Sequence, residues 1–386
     1  MGGDEVGEPV GGDEVDEPVG GDEVDEVDGH DQSGQAVALT AKVAFLLRRA
    51  FPEPPEAIET HMSWVFLTAD RVYKLKKPVK TTFLDNRRLQ SRRRDCEAEI
   101  RLNRPLAPGV YRRTVPLTYD DDRGLALGGP GRVVDWLVVM RRLPEASMLD
   151  RRLAAGPGSV TSVEVAALIR HLVGFYRTTA APTTPERHLS RLLQTLQLDR
   201  EELLRPHRAL DRHAIADLTG RLRSITETLP GLGARSRMVV EGHGDLRPEH
   251  VLLGHRPLVI DRITFDRNLR MVDPLYDLAL LAVECEFSGD GPLGDEILGV
   301  YRTETADDAA PTVTALYRSL RATSRARLSV AHLGDGDREA PKWLDRTDAY
   351  LRIADDAIEG LDPVPGTVRI SPSDGRSGFE MKEVDE

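Results

Sequence analysis

Acidic and basic side chains lie close together in one loop between two apolar runs. Residues 239–253 read Val-Val-Glu-Gly-His-Gly-Asp-Leu-Arg-Pro-Glu-His-Val-Leu-Leu, and a second apolar run, 258–260, ends on Asp261. Phosphoryl transfer needs a carboxylate that accepts the proton of the attacking hydroxyl, ligands for a metal ion and cations against the phosphates. Asp245 is a candidate for the first task, Asp261 for the second and Arg247 for the third. The stretch therefore predicts a phosphoryl-transfer site.

The spacing of these residues is that of a kinase catalytic loop. His250 follows Asp245 by five positions, as the metal-binding Asn follows the catalytic Asp in the kinase motif. Asp261 comes after a short hairpin through residues 254–257, where a kinase carries its magnesium-binding Asp. The order of the two carboxylates thus agrees with a kinase.

Residues 243–248, His-Gly-Asp-Leu-Arg-Pro, resemble the His-Gly-Asp loop of the aminoglycoside phosphotransferase family, and residues 273–279 resemble that family's segment downstream of the metal-binding Asp. A subgroup of uncharacterised members is similar to the chain at residues 72–77, Arg321-Ala322 and Arg325-Ala326. The resemblance covers about residues 40–350. It implies an α+β, bilobal, protein-kinase-like fold with a small β-rich N-lobe and a mostly helical C-lobe.

The resemblance also implies roles for single residues. Asp245 corresponds to the catalytic base and Asp261 to the magnesium ligand. Lys74 corresponds to the strand lysine that contacts the α- and β-phosphates of ATP. Lys76 points to the same face two residues on, so it stays an alternative. Glu99 is the better candidate for the helix glutamate that pairs with this lysine, and Glu97 is the second.

Further roles follow from the same resemblance. Arg247 stands where many kinases place a cation that stabilises transition-state charge, although a salt bridge to Glu249 is an equal alternative. Val139 and Met140 correspond to residues whose backbone contacts adenine. Asp277 is expected to brace the catalytic loop through hydrogen bonds to its backbone.

Two departures from the family pattern affect the expected chemistry. His250 stands at the position usually held by Asn, and an imidazole nitrogen suits Mn²⁺ or Zn²⁺ better than Mg²⁺. Either the site accepts manganese, or His250 touches a phosphate, or Asp261 holds the metal nearly alone. The second departure is the missing glycine-rich loop, because residues 60–63, Thr-His-Met-Ser, contain no glycine.

Apolar periodicity predicts the elements that hold these residues. The first part of the chain predicts a small α+β lobe: a helix over 36–51, a β-hairpin joining 64–67 to 72–76, a helix over 86–104 and a strand over 133–140. After residue 145 a capping box at Thr161 and Glu164 begins a helical region. Further helices are predicted over 212–229, 274–287, 292–304, 311–333 and 343–360. A cleft is expected at the junction of the two parts.

Composition limits the classes of function. Residues 1–31 hold 13 of the 64 acidic side chains and no Lys or Arg, which leaves 51 acidic and 52 basic residues in the rest of the chain. A nearly neutral body argues against a nucleic-acid partner. Cys96 and Cys285 predict neither a disulfide framework nor a cysteine metal site. No apolar run predicts a membrane span or a signal peptide, so the default prediction is a cytoplasmic protein.

The chain is predicted to have four parts. The first 28 residues repeat a Gly-, Asp- and Glu-rich unit of nine residues that is too polar and too short to bury a core. The parts are a disordered acidic tail over 1–35 with an open interaction role, a nucleotide-binding N-lobe over 36–143, a helical C-lobe with the catalytic loop over 144–362, and a second disordered tail over 363–386. Some members of the resembled subgroup carry an additional ATPase domain, and because no Walker loop occurs here we expect this chain to act without one.

The leading hypothesis is an ATP-dependent phosphotransferase that acts on a hydroxyl of a small molecule. The alternative is a kinase-fold protein with weak or no turnover that binds a nucleotide or a partner as a regulator. A metal-dependent phosphohydrolase ranks third, because the only His-Asp dipeptide, His30-Asp31, lies in the tail. The acceptor is not identified, although Glu284 and Glu286 are candidates to receive a cationic substrate.

Overall fold

The computed structural model describes residues 37–80, 84–205, 210–333 and 340–361. The predicted acidic tail over 1–35 and the predicted C-terminal tail over 363–386 lie outside the described residues. The first half of the described chain holds an antiparallel sheet with two helices, which we call the N-lobe. The second half is mostly helical, and we call it the C-lobe.

The N-lobe elements agree with the predicted hairpin and helices and include strands that periodicity did not predict. In chain order they are α1 (Leu39–Arg48), β1 (Glu56–Glu59), β2 (Ser63–Leu67), β3 (Arg71–Lys76), α2 (Leu89–Asn103), β4 (Tyr111–Asp120), β5 (Gly124–Leu127) and β6 (Arg132–Arg141). The strands form one six-stranded sheet in the order β1-β2-β3-β6-β4-β5. The predicted hairpin is confirmed, since β2 and β3 pair antiparallel and Val65 lies opposite Lys74.

Helix α2 packs on the sheet through charged side chains. Its buried residues include Arg92, Asp95 and Glu99, which share one face at helical spacing. The Arg92 Nε atom donates to Asp135 Oδ1 of β6 at 2.7 Å, and Lys42 Nζ of α1 reaches the other oxygen of this carboxylate at 2.7 Å. Buried ion pairs of this kind hold their partners in one geometry because an unpaired charge there is costly. The helix therefore presents Glu99 to the sheet in a fixed position.

The C-lobe surrounds one apolar helix. Its elements are α3 (Leu149–Ala154), α4 (Ser162–Thr178), α5 (Pro185–Leu203), α6 (Arg212–Thr228), β7 (Val240–Glu241), β8 (Val251–Leu252), β9 (Leu258–Val259), β10 (Met271–Val272), α7 (Pro274–Phe287), α8 (Gly291–Thr305), α9 (Pro311–Val330) and α10 (Ala340–Ala357). The predicted capping box is present at the start of α4. Residues 274–285 of α7 are all buried, as expected for a helix that is apolar on every side. A Cβ on Gly294 of α8 would lie 2.8 Å from Ala282 O, so the glycine permits close packing of α7 and α8.

A buried ion-pair network fixes the start of α7. Asp273 caps the helix by accepting a hydrogen bond from Leu275 N at 2.9 Å. Its carboxylate also receives Arg235 Nε at 2.6 Å and the Tyr317 hydroxyl at 3.0 Å. Arg235 Nη1 donates to Asp307 at 2.6 Å. The network ties the N-terminus of α7 to the segment before β7 and to α9.

In the part of the chain that the structure describes, no helix combines the length and the apolar character needed to cross a membrane.

Candidate active site

The loop between β7 and β8 is held by a carboxylate from α7. Asp277 accepts hydrogen bonds from His243 N at 2.7 Å and from Gly244 N at 3.0 Å, and Tyr176 OH donates to it at 3.1 Å. Gly244 has a φ of 87°, and a Cβ there would lie 2.8 Å from Leu269 O. The expectation that Asp277 braces the backbone of this loop is confirmed.

His243 joins the loop to the end of β9. Its Nε2 lies 2.8 Å from Ile260 O, and Asp245 N donates to its Nδ1 at 3.3 Å. Since a carbonyl can only accept and the backbone N–H can only donate, the ring proton is on Nε2. Burial, aided by the neighbouring His250, lowers the pKa of His243 to about 4. The imidazole is therefore neutral near pH 7 and acts as a spacer between the two segments that carry Asp245 and Asp261.

Asp245 lies at the tip of the loop and is paired with Arg247. Arg247 Nε donates to Asp245 Oδ2 at 3.0 Å, while Nη1 of the same guanidinium reaches Glu249 at 2.5 Å. Burial by itself raises the pKa of Asp245, but Arg247, His250 and Arg325 outweigh it and the pKa is lowered. The carboxylate is thus ionised at neutral pH, as a proton acceptor must be. The salt bridge to Glu249, one of the two alternatives for Arg247, is present, and the same guanidinium also contacts Asp245.

Asp261 follows β9 in a strained conformation. Its φ of 59° is left-handed, which costs on the order of 1–3 kcal/mol for a residue other than glycine and tends to occur at functional sites. Its backbone N–H donates to the Tyr111 hydroxyl at 3.0 Å, and its Oδ1 receives Lys74 Nζ at 2.6 Å. Burial raises the pKa of this carboxyl, but Lys74 and His250 outweigh it and the pKa lies well below the usual range.

The structure distinguishes the two strand lysines. Lys74 Nζ lies 3.0 Å from Glu99 Oε1 as well as 2.6 Å from Asp261 Oδ1. Lys76 Nζ turns the other way, to Asp95 Oδ2 at 3.2 Å and to Glu99 Oε2 at 2.5 Å. Glu99 therefore anchors both lysines, and only Lys74 reaches the carboxylate of the C-lobe. Burial lowers the pKa of Lys74, but Asp261 and Glu99 outweigh it and raise the pKa above its ordinary value.

The other helix glutamate considered for this pairing, Glu97, faces away from the lysines. Its Oε1 receives Arg93 Nε at 2.9 Å on the exposed side of α2.

His250 presents one ring nitrogen to Asp261. Its Nδ1 lies 2.8 Å from Asp245 O, and its Nε2 lies 3.3 Å from Arg247 Nη2 and 3.7 Å from Asp261 Oδ2. The carbonyl accepts from Nδ1, and in the neutral ring the lone pair of Nε2 accepts from the Arg247 guanidinium. One imidazole nitrogen and one carboxylate fit a divalent ion that also keeps water or phosphate ligands. Within the described ranges, no group of three or more His, Cys, Asp or Glu forms a closed metal cage.

Val139 and Met140 lie inside β6, the strand that is paired on both sides. Val139 is opposite Tyr73 of β3 and Arg113 of β4, and Met140 is opposite Val72 and Tyr111. Backbone groups in such a strand already face neighbouring strands. The placement therefore does not favour the backbone contacts to adenine that the sequence suggested. Met140 is on the site-facing side of the sheet, because it pairs with Tyr111, whose hydroxyl contacts Asp261. Lys74 lies on the same side of the sheet, whereas Val139 lies on the other face.

The turn that replaces a glycine-rich loop is closed by hydroxyl groups. Thr60 Oγ1 donates to Ser63 O at 3.0 Å and accepts from Ser63 N at 2.9 Å. The Ser63 hydroxyl is buried and has no hydrogen-bond partner among the described residues.

The two carboxylates considered for a cationic substrate are already paired. Glu284 receives Arg325 Nε at 2.5 Å and the Tyr350 hydroxyl at 2.9 Å, and Glu286 is bonded to Arg318. Neither is a free anion for a cationic acceptor, so this expectation is corrected. Partly buried arginines of α9 supply the compensating charge.

Several site residues had no assigned role before the structure. The Tyr111 hydroxyl positions Asp261, and Arg262 is buried with its Nε donating to Gly242 O at 2.8 Å. Arg321 of α9 reaches the loop at Gly244 O, and Arg325 lies one turn further along the same helix. Their spacing of four residues was the available signal, because it places both side chains on one face of a helix.

Solved structures with the same architecture define the class of the fold. The GDP complex of wild-type aminoglycoside 2′-phosphotransferase-IIIa matches with a TM-score of 0.51 and 18% identity, over 84% of this chain and 100% of that one. The GDP and kanamycin complex of APH(2″)-IIIa matches with a TM-score of 0.51 and 16% identity, over 82% of this chain and 98% of that one. At these identities the likeness shows the fold, which is the bilobal kinase-like fold.

The chain belongs to the phosphotransferase enzyme family (APH), whose model matches residues 67–317. That range contains both lysines of β3 and the whole catalytic loop. Uncharacterised proteins of Mycobacterium tuberculosis (strain ATCC 25618 / H37Rv) and Mycobacterium bovis (strain ATCC BAA-935 / AF2122/97) are 29% identical over 292 residues. The match covers 73% of this chain and 56% of each relative, so the chain spans about half the length of the curated relatives it matches.

Proposed function

We propose that the protein transfers the γ-phosphate of ATP to a hydroxyl group of a small molecule. The observation that carries the proposal is the position of Lys74, whose ammonium lies between Glu99 and Asp261 at 3.0 and 2.6 Å. A lysine held between carboxylates of the two lobes is suited to bind phosphates that lie in the cleft between them. Membership in the phosphotransferase enzyme family and the likeness to GDP complexes support nucleotide use.

Asp245 is the proposed base. As the acceptor oxygen attacks the γ-phosphorus, Asp245 takes the hydroxyl proton, the new P–O bond forms, and the bond from the γ-phosphorus to the bridging oxygen breaks to release ADP. Arg247, which contacts Asp245 at 3.0 Å, neutralises the charge that develops on the transferred group. Its pairing with Glu249 orients the guanidinium before substrate binds.

Asp261 and His250 would hold a divalent cation. When bound, such an ion neutralises the β- and γ-phosphates and aligns them with the acceptor. The nitrogen ligand favours Mn²⁺ relative to an all-oxygen site, so Mg²⁺ and Mn²⁺ both belong in the assay. Lys74 binds the α- and β-phosphates while Glu99 keeps it in place, and Lys76 secures Glu99 from the opposite side.

The adenine ring is proposed to pack against the side of β6 that carries Met140. Met140 is buried together with Leu252 and Leu258 of the C-lobe strands, so apolar surface from both lobes is available there. Val139 supports this strand from the other face. The finding that GDP occupies related folds makes GTP the natural comparison for nucleotide preference.

The test compares Asp245→Asn with Asp217→Asn in the purified chain. Asp217 is an exposed residue of α6 and serves as the matched control. We expect Asp245→Asn to lower metal-dependent phosphoryl transfer by about 10²–10⁴-fold with little change in nucleotide affinity, because a general base contributes that much to rate. Transfer is followed by ADP formation and by ³¹P NMR of the product, with nucleotide binding followed by thermal shift.

Transfer that survives Asp245→Asn contradicts the mechanism. Nucleotide binding without turnover under either metal would instead identify a kinase-fold protein that works by binding.

A further inference from the structure

Two arginines of α9 face the catalytic loop one helical turn apart, and they have different surroundings. Arg321 Nε donates to Tyr276 O at 3.0 Å, its Nη1 reaches Gly244 O at 3.5 Å, and its guanidinium lies 3.9 Å from the Tyr276 ring centre. Arg321 therefore holds the backbone next to Asp245. Arg325 lies on the same face, one turn further along.

Arg325 is anchored by an ion pair at the Nε end of its guanidinium. Its Nε contacts Glu284 Oε1 at 2.5 Å, and the group lies 5.6 Å from the Tyr350 ring centre. The side chain is 12% exposed. Tyr350 is a further side-chain hydrogen-bond partner of Arg325, and among the described residues Glu284 is the only carboxylate in an ion pair with it. Because Nε is fixed, the two terminal nitrogens form a preoriented fork, which is the geometry that binds a carboxylate or phosphate in bidentate fashion.

The two acids that interact with this guanidinium, Glu284 and Asp245, are already paired, with Arg325 itself and with Arg247. Arg346 Nη2 donates to Tyr350 OH at 3.0 Å, and its guanidinium lies 4.6 Å from the Phe287 ring centre. Phe287 and Tyr350 stack with ring centres 4.3 Å apart. The one buried carboxylate, Glu284, is bonded to Arg325 and Tyr350. A cationic group placed here would meet two guanidinium groups and no unpaired carboxylate.

The position of Arg325 separates it from the proposed nucleotide site. Its contacts come from Glu284 of α7 and Tyr350 of α10, and its charge also helps to lower the pKa of Asp245. The guanidinium that contacts both Asp245 and His250 is that of Arg247. A group bound by Arg325 therefore belongs to the molecule whose hydroxyl faces Asp245.

We propose that the phosphate acceptor carries an anionic group, a carboxylate or a phosphate, in addition to its hydroxyl, and that Arg325 with Arg346 binds this group. The inference rests on the proposed function and specifies its substrate class. It differs from the cationic acceptor suggested by the two α7 glutamates in the sequence.

The experiment measures turnover with three sets of hydroxyl acceptors and ATP. The anionic set is gluconate and glycerate for the carboxylate source, and glucose 6-phosphate and glycerol 3-phosphate for the phosphate source. The cationic set is kanamycin and choline, and the neutral set is glucose and glycerol. We expect transfer to one of the anionic subsets, and the subset that responds identifies the anion.

Variants then assign the effect to Arg325. Arg325→Lys keeps the charge but loses the fork, and Arg325→Gln with Glu284→Gln removes both charges of the buried pair together. Each should raise the acceptor KM at least tenfold while the KM for ATP changes less than twofold. Arg352→Gln is the matched control, because Arg352 is exposed on the same helix as Arg346. It should leave both constants unchanged.

Binding is also measured without turnover, by thermal shift with gluconate and with glycerol 3-phosphate. If either anion stabilises the wild-type protein and Arg325→Lys removes this stabilisation, the inference is supported even when no transfer occurs. In that case only the proposed function is contradicted. Transfer to cationic or neutral acceptors only, or anion binding that is equal in wild type and Arg325→Lys, overturns the inference. The inference is also overturned if Arg325→Lys changes the KM for ATP and the KM for the acceptor equally.

Discussion

At the residue scale, one guanidinium connects the proposed base to the proposed metal ligands. Arg247 contacts Asp245 at 3.0 Å and His250 at 3.3 Å, and His250 lies 3.7 Å from Asp261. This arrangement keeps Asp245 ionised and fixes the tautomer of His250. The cost is that Arg247 competes with a metal ion for the lone pair of Nε2. Binding of a cation by His250 thus requires Arg247 to turn toward the phosphates.

Arg247→Gln is expected to lower kcat with little change in nucleotide affinity. The cation is proposed to act on charge that develops in the transition state, and removal of one such group typically costs about 10²–10³-fold in rate. The measurement is steady-state kinetics with ATP and the best acceptor.

Arg256→Gln, in the exposed turn between β8 and β9, is the control for charge removal near this loop. If Arg247→Gln raises the KM for ATP and leaves kcat unchanged, Arg247 is a ground-state binding residue.

At the element scale, α7 determines where the catalytic loop stands. Its N-cap is Asp273, which is locked by Arg235, and its first turn carries Asp277, which accepts the backbone N–H groups of His243 and Gly244. The two carboxylates are one turn apart, so both point from the N-terminus of the helix toward the chain before it. Negative charge is favourable at this end of a helix. The same helix thereby couples the packing of the C-lobe to the position of Asp245.

Asp273→Asn is expected to lower the free energy of unfolding by about 3–5 kcal/mol. The amide still caps α7, but Arg235 loses half of its buried charge partners, and breaking a buried ion pair is strongly destabilising. The measurement is urea unfolding followed by circular dichroism.

Asp211→Asn is the matched control, because Asp211 caps α6 at an exposed position and Asn caps about as well as Asp. Its effect should stay below about 0.5 kcal/mol. Equal effects of the two substitutions would mean that the ion pair adds nothing to the cap.

At the scale of the whole molecule, buried histidines make stability depend on pH. Burial lowers the pKa of His188, an effect that Asp273 partly opposes and Arg235 reinforces. His188 Nε2 donates to the Tyr317 hydroxyl at 3.1 Å, and this hydroxyl donates to Asp273. A histidine with a lowered folded-state pKa binds its proton more readily after unfolding. Its stabilising contribution is therefore complete above the unfolded pKa near 6.5 and is lost as the pH falls below it.

His188→Gln is expected to reduce the loss of stability between pH 7 and pH 5. Glutamine can donate to Tyr317 but takes up no proton. The contribution of His188 to the pH dependence of the free energy of unfolding therefore disappears. The buried His243, whose pKa is lowered to about 4, retains its own contribution of the same sign.

The free energy of unfolding is measured in urea at the two pH values. His213→Gln, at an exposed position of α6, is the control and should leave the slope unchanged. An unchanged slope in His188→Gln would show that this imidazole is not the group that takes up the proton.

Local patterns in the sequence were sufficient for the elements and for the loop motif. The helices α4, α6, α7, α8, α9 and α10 and the β2–β3 hairpin follow from apolar periodicity and capping, which depend on neighbouring residues. The strands β1, β4 and β5 and the helix α5 were not predicted. β4 carries Arg112, Arg113 and Pro116 within its run, which obscures the alternation, and its pairing with β6 supplies the missing preference.

The sequence by itself determined the kinase-like loop, the candidate carboxylates and the family resemblance, because each depends on residues that are a few positions apart in the chain. Only the tertiary structure decided that Lys74 rather than Lys76 reaches Asp261, and that Glu284 is neutralised by Arg325. The physical reason is that an ion pair depends on distances between elements that are far apart in the chain. Lys74 and Asp261 are 187 residues apart and lie 2.6 Å from each other in the fold.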